Sequence, residues 1–258
     1  MSEEIRTERR GAALWIHVDR PAARNALTFA MYDRIAAVCR DANGDATVKA
    51  VVLAGSSEAF VAGTDIAQFV DFKEASQALD YERRMDAWLG AIEAVRVPTI
   101  AALRGPVVGG GLAIAAACDL RVAAPSARFG VPVARTLGNC FSAANLVRLA
   151  ALVGLGRVKE LVLTARLIDA QEARAIGLVS EVVAGEEALE PRVGELVAEL
   201  TSYAPLTLHA TKEMVRRIRS RMMPDEASDL VALCYTSADF REGVAAFLER
   251  RKPVWKGR

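Results

Sequence analysis

Apolar residues follow two different spacings along this chain. Alternating or continuous apolar runs indicate β-strands, whereas an apolar residue at every third or fourth position indicates a helix. By these spacings the sequence predicts strands over residues 12–18, 49–55, 99–103, 119–124, 128–131 and 178–183. Helices are predicted over residues 29–40, 67–95, 142–153, 157–165, 169–176, 186–202, 205–221, 224–237 and 239–250, with Thr28 as the cap of the first.

Strands alternate with helices up to about residue 183, and only helices follow. This order predicts an α/β core with a helical C-terminal layer, which we divide into residues 1–195 and 196–258. The second region carries more apolar positions than a layer over a small sheet needs, which favours assembly through this layer. These positions include Leu230, Leu233, Tyr235, Phe240, Phe247 and Trp255.

Composition narrows the class of protein. The chain has 258 residues, of which 52% are hydrophobic and 25% charged, as expected of a globular protein with a sizeable core. Its net charge of +1 disfavours nucleic acid as a partner. No apolar run approaches the roughly 18 residues of a membrane span, and no secretion signal begins the chain, so we expect no membrane contact. Four cysteines without a C-x-x-C pair fit a reduced, cytoplasmic protein.

The two histidines offer no obvious chemistry. His17 lies in a predicted strand and His209 in a predicted helix, and neither has a metal-ligand companion at a suitable spacing. We therefore expect neither a bound metal nor a histidine-based catalytic triad.

Three consecutive glycines, Gly109 to Gly111, join a strand-like run to a short Ala-rich helix. The first N–H groups of a helix lack internal partners, and the helix dipole favours negative charge there. The triplet therefore suits the presentation of a backbone N–H to an oxyanion, although a tightly packed turn without a ligand explains the same residues. Leu112 and Ala113 exclude a phosphate-binding P-loop, and the G-x-G-x-x-G spacing of dinucleotide sites is absent.

Several motifs follow one another in a fixed order. They are residues 24–27 (RNAL), 60–66 (FVAGTDI), 109–111 (GGG), 117–120 (ACDL), 177–180 (GLVS) and 239–251 (DFREGVAAFLERR). Together with the strand that ends at Leu103, this ordered set resembles the crotonase (enoyl-CoA hydratase/isomerase) superfamily along nearly the whole chain.

The resemblance implies a spiral of ββα turns in the core and a helical trimerisation layer, which would give a homotrimer or a dimer of trimers. It also implies an acyl-CoA thioester as substrate, with coenzyme A as part of that substrate and no bound cofactor. The backbone N–H groups of Thr64 and Gly110 would form an oxyanion hole. Two such donors stabilise the enolate that forms when a thioester loses an α-proton or gains a β-nucleophile.

The same resemblance places coenzyme A along backbone segments and near the C-terminus. The residues it implies in substrate binding are Arg24, Ala26, Ala62, Gly63, Asp65, Ile66, Gly109 and Phe240, with Lys252 and Lys256 in the basic tail. Arg24 is equally explained as an ordinary surface residue, and Asp65 as the cap of the following turn.

The sequence departs from the family's hydratases at both catalytic glutamates. Ala113 and Val133 stand at those two positions, and neither side chain acts as an acid or base. Cys140 resembles the nucleophile of the family's aryl-CoA dehalogenases in its position along the chain, and Asp86 resembles their base in the same way. An inert buried thiol explains Cys140 as well, and a helix-surface carboxylate explains Asp86.

Three functions follow, in order of preference. The first is an acyl-CoA enzyme of the hydratase/isomerase type that passes through an enolate, with two-glutamate hydration doubtful. The second is an acyl-CoA-binding protein that has lost catalysis together with both glutamates. The third is an α/β hydrolase, which the missing G-x-S-x-G elbow disfavours.

Overall fold

The computed structural model describes residues 4–56, 58–223 and 227–258. The strands in these residues are β1 (Ile5–Arg10), β2 (Ala13–Val18), β3 (Ala50–Gly55), β4 (Thr99–Leu103), β5 (Pro106–Val108), β6 (Leu120–Ala123), β7 (Arg128–Gly130), β8 (Ile168–Asp169) and β9 (Glu181–Val182). The α-helices are α1 (Phe29–Ala42), α2 (Ala75–Glu93), α3 (Gly110–Ala117), α4 (Val133–Thr136), α5 (Ala143–Thr164), α6 (Ala170–Ala175), α7 (Leu189–Thr201), α8 (Pro205–Ser220), α9 (Ser228–Tyr235) and α10 (Ala238–Leu248).

Local signals in the sequence fix several helix boundaries. The Thr28 side chain accepts a hydrogen bond from the N–H of Met31 and caps α1, as predicted. Ser142 caps α5 in the same way through Asn145. Gly154 has a non-helical φ of 77° inside α5, so the helix is interrupted where the sequence predicted a break between two helices.

Two sheets organise the strands. The larger one has the order β1-β2-β3-β4-β6-β9. Its β1–β2 pair is antiparallel, and every other pair in it is parallel. The smaller sheet has the order β5-β7-β8, with β5 and β7 parallel. The mixture of parallel strands and helices confirms the predicted α/β class.

Strand β3 shows how the core is divided, because its side chains alternate between the two faces of the larger sheet. Val51 and Leu53 join the larger apolar cluster, which also receives residues of α1, α2 and α3. Ala50, Val52 and Ala54 join a second cluster on the opposite face, which α7 covers. Every residue of β3 is therefore buried, as its continuous apolar run predicted.

Some predicted elements differ from the observed ones. The predicted helix 67–95 begins only at residue 75, because the Gln77 side chain accepts the N–H of Glu74 at 3.0 Å and starts α2 there. The predicted strand 178–183 contains only the two residues of β9. The sequence does not predict β1, since five of its six side chains are exposed and give no apolar pattern. Part of the predicted helix 224–237, residues 224–226, lies outside the described residues.

None of the described helices is both long and apolar enough to span a membrane.

Candidate active site

A cavity of about 570 Å³ opens between the loop of residues 60–66, the glycine turn of residues 109–111, α2 and the start of α5. Much of its wall is apolar, with Phe69, Met85 and Phe141 among its side chains. The predicted site residues that line it are Arg24, Ala26, Ala62, Gly63, Thr64, Asp65, Ile66, Gly109, Gly110 and Cys140. Two separate loops and the segment before α5 thus bring most of the predicted site together.

Backbone hydrogen bonds hold the two loops against each other. The N–H of Val61 donates to the carbonyl of Pro106, and the N–H of Val108 donates back to the carbonyl of Val61, each at 3.2 Å. This strand-like pairing fixes where the 60–66 loop lies relative to the glycine turn. Residues 64 and 110, which are 46 positions apart in the chain, thereby line one cavity.

The orientation of the Thr64 N–H follows from its neighbours. Leu27 donates to the carbonyl of Gly63 at 2.9 Å and accepts from the N–H of Asp65 at 2.8 Å. Because successive N–H groups of an extended segment point in opposite directions, the N–H of Thr64 faces away from Leu27. Within the described part of the chain, this N–H donates to no recorded acceptor.

Each glycine of the triplet has its own steric reason. Gly109 has a φ of 54°, in the left-handed region that favours glycine. A Cβ at Gly110 would overlap the hydroxyl of Tyr32, and one at Gly111 would overlap the carbonyl of Val61. The turn therefore packs closely, and the first N–H groups of α3 have no intrahelical partners.

A chain of hydroxyl groups supports the Thr64 side chain. The Tyr32 hydroxyl lies 3.0 Å from Thr64 Oγ1, and the Tyr81 hydroxyl lies 3.1 Å from the same atom. Burial raises the pKa of both tyrosines, so both phenols stay protonated at neutral pH. These hydrogen bonds hold the 60–66 loop against α1 and α2.

Glu82 is a carboxyl group in the cavity that the sequence did not single out. It is 8% exposed, and its Oε1 accepts a hydrogen bond from the Tyr235 hydroxyl at 2.7 Å. Asn139 Nδ2 in turn donates to that hydroxyl at 3.1 Å. Burial raises the pKa of Glu82 to about 7, although the hydrogen bond from Tyr235 opposes the shift.

A signal for Glu82 was present in the spacing of α2. Apart from Glu82 and Ala91, the buried residues of this helix are related by intervals of three and four, at positions 78, 81, 85, 88, 89 and 92. Glu82 lies four residues after position 78 and three before position 85, so it is a charged residue within the apolar stripe. Such a residue is buried with the stripe and must be explained by partners or by chemistry.

Asp86, the predicted base, lies outside this cavity. Its carboxylate pairs with Arg148 at 3.1 Å, and its side chain is 42% exposed. It lines a separate cleft of about 250 Å³ with Glu93 and Arg219. Asp86 therefore matches the alternative interpretation of a helix-surface carboxylate.

Cys140 lines the cavity, but its surroundings do not activate a thiol. Burial, with a further contribution from Cys234, raises the pKa of Cys140 well above its usual range. The group is therefore a thiol at neutral pH, which matches the alternative interpretation of an inert cysteine.

The two positions at which the family resemblance implied glutamates are occupied by apolar side chains. Ala113 is 1% exposed on α3, and Val133, at the start of α4, lines the cavity. Neither position holds an acid or a base, and the buried carboxyl group that lines this cavity, that of Glu82, comes from α2.

The remaining predicted residues divide between the cavity rim and the core. Asp65 accepts the N–H of Ala67 at 3.0 Å and an Arg20 guanidinium N–H at 2.7 Å, so it caps the following turn. Phe240 is 1% exposed and packs against Tyr235, outside the cavity lining. Phe247 and Arg250, which the sequence analysis did not assign to substrate binding, line the cavity instead.

No cluster of three or more potential metal ligands occurs among residues 4–56, 58–223 and 227–258.

Comparison with known proteins gives one consistent family. The enoyl-CoA hydratase/isomerase family model matches residues 8–258. A crotonyl-CoA hydratase of Syntrophomonas wolfei subsp. wolfei is 36% identical over 255 residues, which cover 97% of this chain and 96% of that protein. A 2,3-dehydroadipyl-CoA hydratase of Escherichia coli is 33% identical over 261 residues, which cover 100% of both chains.

Solved structures agree. An enoyl-CoA hydratase/carnithine racemase from Magnetospirillum magneticum has a TM-score of 0.81 and 32% identity, over 100% of this chain and 97% of that one. A methylmalonyl-CoA decarboxylase in complex with 2-nitronate-propionyl-CoA has a TM-score of 0.88 and 26% identity, over 98% of both chains. This chain therefore belongs to the enoyl-CoA hydratase/isomerase family of the crotonase superfamily and is an enzyme of that family.

Proposed function

We propose that this enzyme binds an acyl-CoA thioester with the carbonyl oxygen between the backbone N–H groups of Thr64 and Gly110, and that it stabilises an enolate there. The observation that carries the proposal is the pair of N–H groups lining one cavity with no acceptor in the described residues. The N–H of Gly110 is also the first of α3, where the helix dipole favours negative charge. Fixed donors of this kind stabilise developing charge without reorganisation.

The acyl-CoA substrate class is supported by the relatives. The two hydratases and the decarboxylase named above are all described as acting on coenzyme A thioesters. The decarboxylase holds 2-nitronate-propionyl-CoA, whose nitronate is a stable anion, like the enolate we propose. Hydration, isomerisation, decarboxylation and C–C cleavage all pass through such an anion in this scheme, so the oxyanion hole serves each of them.

We place coenzyme A along the rim that the sequence indicated. Arg24, Ala26, Ala62, Asp65 and Ile66 border the cavity, and the carbonyl of Arg24 accepts the N–H of Ala62 at 3.2 Å. Exposed Lys252 and Lys256 supply positive charge for phosphates, either of this subunit or of a neighbour. Phe240 supports the adjacent wall from within the core through Tyr235.

Ordinary hydration is not the reaction we expect. Addition of water needs groups that deprotonate water and deliver a proton to the α-carbon, and each contributes about 10²–10⁴-fold. With Ala113 and Val133 at the usual positions, crotonyl-CoA hydration should be at least about 10³-fold slower than in a hydratase with both glutamates. Loss of enoyl absorbance measures this rate, and a normal hydration rate would contradict our expectation that ordinary hydration is not the reaction of this enzyme.

The proposal itself is tested by exchange of α-protons for deuterium. Acetyl-CoA, butyryl-CoA and phenylacetyl-CoA are incubated with the enzyme in D₂O, and the mass of each thioester is followed. An enzyme that stabilises an enolate exchanges the α-protons of at least one of them. Binding without any exchange would favour the alternative of an inactive acyl-CoA-binding protein, for which the comparisons offer no support.

A further inference from the structure

We propose that Glu82 is the catalytic acid and base of this site: it exchanges a proton with the α-carbon of the bound acyl-CoA, in place of the carboxylates missing at Ala113 and Val133. Tyr235 is its positioning residue. This inference rests on the proposed function, because it needs a thioester whose enolate is held by Thr64 and Gly110.

The first support is the place of Glu82 in the cavity. Tyr81 and Glu82 are consecutive residues of α2, and both line the cavity with Thr64 and Gly110. The Tyr81 hydroxyl lies 3.1 Å from Thr64 Oγ1, so this turn of α2 is held against the loop that carries the proposed oxyanion donor. The carboxyl group one residue further on is thereby fixed in the same cavity as the thioester carbonyl.

The second support is that no cation balances the Glu82 carboxylate. Within residues 4–56, 58–223 and 227–258, no arginine, lysine or histidine forms an ion pair with it. The buried guanidinium of Arg148 pairs with Asp86 and Glu93 at 3.1 and 2.8 Å instead. A buried carboxylate without a cation reduces stability, and such groups concentrate at sites where a proton is moved.

The third support is the hydrogen bonding of the two oxygens. The Tyr235 hydroxyl donates to Oε1 at 2.7 Å and accepts from Asn139 Nδ2 at 3.1 Å. Asn139 Oδ1 is buried without a partner in the described structure. The Ser142 side chain also hydrogen-bonds the Glu82 carboxyl group. Each hydroxyl has a single proton to give and a carboxylate has about four lone-pair sites, so the chain Asn139–Tyr235–Glu82 and Ser142 hold the carboxylate in place and leave it with capacity to accept a proton.

Titratable groups and one serine hydroxyl face Glu82 from three parts of the chain. Tyr81 and Asp86 flank it on α2, Cys140 and Ser142 precede α5, and Tyr235 comes from α9. Burial raises the pKa of Glu82 to about 7, while the tyrosines and Cys140 stay protonated at that pH. Among these groups, Glu82 is the one inside the cavity whose proton is both lost and regained near neutral pH.

The proton balance is simple. The bond between the α-carbon and its hydrogen breaks, and the proton moves to an oxygen of the Glu82 carboxylate. The electron pair of that bond enters the carbon–carbon bond to the carbonyl, and the carbonyl π pair moves to the oxygen held by Thr64 and Gly110. The reverse step returns one proton to the α-carbon. In D₂O the Glu82 proton exchanges with solvent, so each return delivers one deuteron.

The test is deuterium exchange into butyryl-CoA by the wild type and three variants. Glu82→Gln keeps the size and the acceptor for Tyr235 but removes the proton-transfer group. It should slow exchange by about 10²–10⁴-fold while the Kd for butyryl-CoA is unchanged. Asp80→Asn, on the exposed side of the same helix, is the matched control and should exchange at the wild-type rate. Asp86→Asn decides between the two carboxylates and should also exchange normally.

A second substitution at Glu82 keeps the test informative if Glu82→Gln misfolds. Glu82→Ala leaves a space into which formate fits, so added formate should restore part of the exchange in Glu82→Ala and none in Glu82→Gln. Exchange by Glu82→Gln at the wild-type rate would overturn the role of Glu82 and leave the oxyanion hole intact. Loss of exchange in Asp86→Asn alone would assign the role to Asp86. A wild type that exchanges no thioester would overturn the proposed function and this inference together.

Discussion

A single carboxyl group, Glu82, determines much of the behaviour expected of this enzyme at the scale of residues. It is buried, hydrogen-bonded by Tyr235 and without a cation in the described structure. Motifs in the sequence indicated Thr64 and Gly110, which line the cavity, and Asp86, which does not, but they did not indicate Glu82. The reason is that motif position does not show which side of α2 faces the cavity, whereas the spacing of the apolar stripe does.

Stability should depend on pH through Glu82. Its pKa is about 7 in the folded protein against 4.5 for a free carboxyl, so its contribution to stability is fully present below pH 4.5 and is lost as the pH rises through 7. Gln does not ionise, so Glu82→Gln does not lose this stability. The free energy of unfolding of Glu82→Gln minus that of the wild type should therefore increase between pH 4.5 and 7, by at most about 3 kcal/mol. Urea unfolding at several pH values measures this difference. Asp80→Asn should show a difference that does not change with pH, and a constant difference for Glu82→Gln would contradict the shifted pKa.

The pH profile of catalysis should depend on Tyr235. Its hydrogen bond stabilises the ionised form of Glu82 and lowers the pKa of that group. In Tyr235→Phe the pKa of Glu82 should rise above about 7, so the rise of the exchange rate with pH should shift to higher pH. Tyr203→Phe, which removes an exposed hydroxyl that bonds Glu199, should keep the wild-type profile. A profile of Tyr235→Phe that matches the wild type would show that this contact does not position Glu82.

At the scale of elements, the glycine turn combines tight packing with unpaired N–H groups. The sequence predicted a glycine-rich helix start and could not choose between these two interpretations. The structure shows the tight packing, since Gly109 takes a left-handed conformation and Gly110 lies against Tyr32, and the oxyanion role stays our proposal. Short paired segments were harder to predict. Strands β5 and β8 have three and two residues, and backbone pairing of that length leaves no period in the side chains.

The contact between Gly110 and Tyr32 permits a matched test of the donor. Gly110→Ala should destabilise the protein by about 1–3 kcal/mol through overlap with the Tyr32 hydroxyl, and Tyr32→Phe should relieve this. In the Tyr32→Phe background, Gly110→Ala keeps the N–H and Gly110→Pro removes it at a helix position that tolerates proline. The proline variant should exchange α-protons about 10²–10³-fold more slowly than the alanine variant. If both variants are folded by circular dichroism and exchange at equal rates, the N–H of Gly110 is not a donor of the oxyanion hole.

At the scale of the whole molecule, the C-terminal helices divide between core and surface. Tyr235 and Phe240 are buried within this chain: Tyr235 lines the cavity, and Phe240 packs against Tyr235 in the core. Leu230, Leu233 and Phe247 are more than half exposed. All residues of α8 are described, and none of them is buried. An excess of apolar positions could be predicted from the sequence, but not this division, which depends on how α9 packs against α2. The boundary proposed between residues 195 and 196 falls within α7.

We propose that the exposed apolar positions of the C-terminal helices hold three copies of this chain together, or six copies as two sets of three. Light scattering should report a trimer or hexamer at micromolar concentration, because large exposed apolar patches on a soluble protein mark association surfaces. Leu233→Glu should shift the population towards monomers. Leu163 is also an exposed leucine but lies outside residues 196–258, so Leu163→Glu serves as the control and should not shift the population. A stable wild-type monomer would contradict assembly through this layer.

The central claim is that the cavity stabilises an enolate, and its most direct test is the affinity for an anion that resembles one. 2-Nitronate-propionyl-CoA, the ligand in the methylmalonyl-CoA decarboxylase structure, carries such an anion, whereas propionyl-CoA has a neutral acyl group. Titration calorimetry should show that the wild type binds the nitronate at least about 10²-fold more tightly than propionyl-CoA, because an enzyme binds an analogue of its transition state more tightly than a ground-state ligand. Equal affinity for the two thioesters would contradict an enolate-stabilising site.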